Sequence, residues 1–179
     1  MFVDALTPLA ISLSALFAVS GVAKLRDPAK PAALLAAVRV AGGRRLVMLL
    51  GAAELGLGVI SLAAPSRASA SCLAAAYLAL ALFSAYALSA GASGANCGCF
   101  GVADAPLTRA HVAANTAAGI GALACVAAGP PHGLGWLAQQ GAGVATIALA
   151  ASAAATIAWF AIFTLLPQAW TAWSPEEVR

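Results

Sequence analysis

Long apolar runs broken by short polar stretches set the pattern of this chain. A bilayer-crossing helix needs roughly 20 mostly apolar residues. Five windows meet or approach that length, at about residues 5–23, 46–64, 70–90, 110–129 and 141–166. The third, SCLAAAYLALALFSAYAL, and the fifth, GAGVATIALAASAAATIAWFAIFTLL, carry no charge, and the fifth is expected to stop at Pro167. Trp170 and Trp173 then fall just past it, as an aromatic belt at the interface. Ala and Gly dominate these windows and suit close helix–helix approach in lipid. The stretch PAALLAAVRVAGG is read as a short amphipathic helix along the interface.

Composition turns these windows into a fold class. Of 179 residues, 63% are hydrophobic and 8% charged, where a soluble domain carries about 25% charged residues. Too few polar side chains exist to cover a surface facing water, so the partner of most of the surface is membrane lipid. The expected fold is all-α, an integral membrane helical bundle forming a single domain over residues 1–179. Nine Lys and Arg scattered at helix ends make no nucleic-acid footprint. The opening MFVDALTPLA has an acid and no basic flank, so the first window reads as a retained helix rather than a signal peptide.

Lys24, Arg26, Lys30, Arg39, Arg44 and Arg45 stand between the first two windows against Asp27 alone. The positive-inside rule places that segment in the cytoplasm. Counting spans forward puts the 91–109 loop on the same side.

That loop holds the candidate chemistry. Cys97 and Cys99 are separated only by Gly98. A disulfide needs Cα atoms about 4.4–6.8 Å apart, which two such residues reach only if the chain bends, and glycine bends most easily. A bond closing so small a ring is expected to be strained and readily exchanged. Inert thiols and half of a metal site are the competing readings, but one cysteine pair does not complete a four-ligand zinc site, so no metal is expected. Arg109, His111 and Asn115 open the following helix, with His111 and Asn115 one turn apart, and are expected to line a polar patch under the loop. Cys72 and Cys125 lie at the opposite face, either as a second thiol pair or as small buried hydrophobes. His132, in the opposite loop, is read as solvated.

Glu54 stands inside the second window, where a charge costs roughly 2.5–3.5 kcal/mol at mid-helix. Lys24 closes the first window on the same side. A Lys24–Glu54 clip between the helices is one expectation, and a proton-handling carboxylate is the other.

SGVAKLRDP after the first window, AAELGLGV in the second, CGCFG after the third and an Asn in the fourth resemble the methylamine utilisation protein MauE family, within the DoxX-like group of redox-associated membrane proteins. The resemblance covers about residues 5–129. It implies a four-helix DoxX-like core, to which this chain adds a fifth transmembrane helix, and a multi-pass protein of the inner (plasma) membrane. Its motif falls on Gly21, Lys24, Glu54, Cys97, Gly98, Cys99, Phe100, Gly101 and Asn115. The family often shows Arg-Asn in the fourth helix, whereas Ala114 precedes Asn115 here.

The function so implied is thiol–disulfide exchange by Cys97 and Cys99 in disulfide formation or maturation of a partner protein, as in methylamine dehydrogenase assembly. Its partners would be a thioredoxin-like protein or a client with disulfides, and a quinone near Arg109, His111 and Asn115 is the cofactor open to it. An assembly role asks for a loop in the oxidising compartment, against the span count. The alternative is a non-enzymatic membrane scaffold, or an assembly subunit binding a metal or cofactor through the same loop. A carrier built on Lys24 and Glu54 is a third.

Overall fold

A computed structural model describes residues 2–98, 100, 105–129 and 132–173. Among them the chain forms helices and no strand: α1 (Phe2–Arg26), α2 (Ala29–Ala37), α3 (Gly43–Ala63), α4 (Arg67–Ser89), α5 (Arg109–Ala128), α6 (Leu134–Leu137) and α7 (Ala142–Trp173). Five of them, α1, α3, α4, α5 and α7, are long and apolar enough to cross a membrane. The protein is thus a multi-pass membrane helical bundle. Leu82, Ile147, Ile157 and Leu165 point outward, as a surface solvated by lipid requires.

The central helix is α1, which packs on α3, α5 and α7. Its contact with α3 is made of missing side chains. A Cβ on Gly21 would lie 2.5 Å from the Leu55 nitrogen, and one on Gly58 would lie 2.6 Å from the Ala18 nitrogen. Small residues let membrane helices touch backbone to backbone, where dispersion replaces the hydrophobic effect as the attraction. On its other side α1 joins α4 and α5 through Leu13, Phe17, Leu73, Ala74, Tyr77, Ala118 and Ala122. The buried Tyr77 hydroxyl donates to the Leu13 carbonyl at 2.8 Å, which offsets its removal from water.

Two expectations about helix ends change. First, α7 continues through Pro167 to Trp173, so Trp170 and Trp173 lie on its last turns rather than beyond it. Proline forfeits one backbone bond, but membrane helices tolerate that loss when neighbours hold the turn, and Pro167 is buried. Second, the stretch after Pro28 is helical, yet its apolar face does not lie open to the interface. Leu34 and Val38 pack against Ala87, Ala92 and Leu107, which fixes α2 to the end of α4 and to the loop leading into α5. The chain then reverses into α3 through left-handed Arg39, Gly42 and Gly43.

Candidate functional site

Between α4 and α5 the chain folds back on itself. Gly94 donates its N–H to the Leu107 carbonyl at 3.2 Å, Leu107 to Ala95 at 2.8 Å, and Cys97 to Ala105 at 3.0 Å. Asn96 stands opposite Pro106 in an antiparallel bridge. At the tip, the Asn96 side-chain oxygen accepts the Gly98 N–H at 2.9 Å, and Gly98 turns through φ +62°. That value lies in the left-handed region that favours glycine. The space demands glycine as well, because a Cβ there would come within 2.7 Å of Pro31 Cδ. The bend expected at Gly98 is therefore present, and it is pressed onto the first turn of α2.

Cys97 is 6% exposed and disulfide-bonded. Cys72 and Cys125 are free thiols, the first exposed and the second buried. Cys125 faces the Leu6 carbonyl at 4.0 Å. Cys99 and Gly101 lie outside the described residues.

Just past the tip, Phe100 turns into the bundle. It packs with Leu16, Ala114 and Phe163, meeting Phe160 edge-on at 5.2 Å between ring centroids and Phe163 at 5.7 Å. The loop thus has two anchors, Gly98 on α2 and Phe100 on α1, α5 and α7.

The start of α5 differs from the polar patch expected there. Arg109 is exposed, whereas His111 is fully buried and Asn115 nearly so. Asn115 donates its amide to the His111 carbonyl at 2.9 Å, within its own helix. His111 Nδ1 accepts the Thr108 N–H at 3.4 Å, which leaves Nε2 as the nitrogen carrying hydrogen in the neutral ring. Among the described residues, Nε2 and the Thr108 hydroxyl meet no hydrogen-bond partner. Arg109 therefore does not share the buried surroundings of His111 and Asn115.

Deeper, Lys24 Nζ meets Glu54 Oε2 at 2.7 Å with both side chains under one-tenth exposed. Ser20 completes the cluster, accepting from Lys24 at 2.6 Å and donating to the same Glu54 oxygen at 3.0 Å. A buried carboxylate in lipid needs this kind of compensation. The clip expected between α1 and α3 is present, with Glu54 Oε2 engaged by both Lys24 and Ser20. Away from this end, His132 is not merely solvated: it stacks on Trp136 at 5.2 Å and approaches Asp4 at 3.5 Å.

Sequence reasoning did not identify Ser20, Pro31, Phe160 or Phe163. Ser20 precedes Lys24 by one helical turn, the spacing that brings two side chains together, and was legible by that rule. Nothing in the spacing of the other three ties them to a loop distant in sequence.

The family model for methylamine utilisation protein MauE matches residues 3–130. The chain belongs to the MauE family. No curated protein and no solved structure matches it. The MauE match runs from α1 through α5 and contains the Lys24–Glu54 clip and the Cys97 loop. It ends before α7, so the aromatic residues holding Phe100 come from a helix outside the MauE region.

Proposed function

We propose that this chain is a thiol–disulfide redox protein of the inner membrane that acts in the maturation of a partner protein, with Cys97 and Cys99 as the exchanging pair. The observation that carries the reading is the contrast among its sulfurs: Cys97 is bonded while Cys72 and Cys125 remain thiols. Cys99 is the remaining cysteine of the chain, and we assign it as the partner of Cys97. Membership of the MauE family supplies the setting, methylamine utilisation, and the client would be a protein whose disulfides must be formed or rearranged.

Exchange then proceeds by two displacements. A partner thiolate attacks the Cys99 sulfur, the Cys97–Cys99 bond breaks, and Cys97 leaves as a thiolate that takes up a proton. A second partner thiolate attacks the mixed disulfide and releases Cys99. The partner loses two electrons and two protons, and this chain gains them; the reverse sequence reduces a client disulfide. Burial of Cys97 favours its role as the leaving and resolving sulfur. Contact of Gly98 with Pro31 holds the Cys97 side of the loop tip against α2.

Alkylation after acid quenching tests this reading. Purified protein should shift by two added labels on reduction, and Cys97→Ser should accumulate a mixed disulfide with a thioredoxin-like protein or a client. Cysteines 97 and 99 that stay as thiols under oxidising conditions, with no mixed disulfide from Cys97→Ser, would remove the function.

A further inference from the structure

Contacts at the loop tip decide which side of the membrane the disulfide faces. Gly98 lies against Pro31, and Leu107 and Ala92 pack with Leu34 and Val38. The Cys97 loop and the segment joining α1 to α3 therefore share one end of the bundle. This does not depend on counting spans, since no intervening helix enters the comparison.

Charge separates that end from the other. Among the described residues, Arg26, Arg39, Arg44, Arg45 and Arg109 are exposed at the loop end, with Lys30 half-buried beside them and Asp27 as the acid. Among the described residues at the opposite end, the basic side chain is Arg67, and the acid is Asp4, paired with His132. Short segments rich in Lys and Arg are retained in the cytoplasm.

We infer that the Cys97 disulfide faces the cytoplasm and draws its electrons from a reduced dithiol protein there. The cytoplasm keeps thiols reduced, so dithiols are the reductant available on that side. The sidedness stands on contacts and charge alone, whereas the electron flow rests on the exchange reading above. In that step the donor's two thiols become a disulfide, the Cys97 bond opens, and two electrons and two protons arrive on Cys97 and its bonded partner. The reaction that supplies this protein is the oxidation of a cytoplasmic dithiol to a disulfide. Low exposure shields the Cys97 sulfur from direct attack.

Single-cysteine reporters read the sidedness. In a cysteine-free full-length chain, exposed Ala33 on α2 is changed to Cys in one variant and exposed Ala64 after α3 in another. A charged, impermeant maleimide should label Ala33→Cys only in inverted vesicles and Ala64→Cys only in spheroplasts. The reversed pattern, or labelling of Ala33→Cys from outside, overturns the sidedness.

Electron flow is read in a chain carrying Cys72→Ser and Cys125→Ala. Reduced thioredoxin added to inverted vesicles should release the Cys97 thiol at least tenfold faster than in spheroplasts. Equal rates, or faster release in spheroplasts, overturn the cytoplasmic donor. If the reporters label as expected but the bond opens in neither preparation, the donor inference and the exchange reading both fail while the sidedness holds.

Discussion

Lys24 and Glu54 meet at 2.7 Å across the α1–α3 contact, in a place where less than one-tenth of either side chain is exposed. The pair sits beside Gly21 and Gly51, whose missing side chains let the two helices come close enough for the charges to touch. Charge pairing and backbone proximity here are one structural fact.

Removing one member strands the other. In soluble proteins an unpaired buried charge costs about 3–5 kcal/mol, and lipid offers no water in exchange. Lys24→Met and Glu54→Gln should each lower the melting temperature in detergent and reduce membrane yield. The double variant Lys24→Met/Glu54→Leu should be more stable than either single. Strict additivity of the two losses would show that the charges do not support one another.

Glycine spacing at the same contact gives a sharper test because a harmless control exists. Gly58→Ala drives a Cβ to 2.6 Å from the Ala18 nitrogen, whereas no described residue comes within 4 Å of a Cβ at Gly56. Gly58→Ala should unfold at a lower temperature. Gly56→Ala should match or exceed the parent, since alanine favours a helix interior by about 0.8–1.0 kcal/mol. Similar melting temperatures for the two variants would refute backbone contact at Gly58.

Gly98→Ala faces two separate penalties. The left-handed backbone costs a non-glycine residue roughly 1–2 kcal/mol, and the added methyl meets Pro31. The loop tip should lift from α2, so that a phosphine reductant opens the Cys97 bond severalfold faster. Pro31→Ala alongside it should relieve the clash but not the backbone strain, giving partial recovery. An unchanged reduction rate in Gly98→Ala would mean that the tip is not held there.

Phe163→Ala removes one ring from the pair that grips Phe100. Such aromatic contacts are worth about 0.5–1.5 kcal/mol beyond buried area. The variant should reduce faster than the parent at Cys97, and Phe163→Leu should restore part of the protection. A rate matching the parent in Phe163→Ala, with the fold retained by circular dichroism, would show that α7 does not steady the loop.

Much of this architecture was written in the chain's hydrophobic pattern. Five apolar windows became five membrane-length helices because a bilayer of fixed thickness accepts a narrow range of helix lengths. The Lys24–Glu54 clip was readable for a related reason, since a charge inside an apolar window demands a partner and one cation stood at the matching depth. A bend at Gly98 was likewise legible, as a tight Cys-Gly-Cys turn leaves little other choice.

What folding alone decided is which distant segments meet. That Gly98 rests on Pro31, that α2 turns its apolar face to Leu107 rather than to lipid, and that Phe160 and Phe163 hold Phe100 all join segments with no shared periodicity. His111 and Arg109 parted, one buried and one exposed, because their side chains leave α5 in different directions. Periodicity reports which face of a helix is apolar; it does not name the neighbour that covers it. That choice belongs to shape complementarity among helices packed in three dimensions.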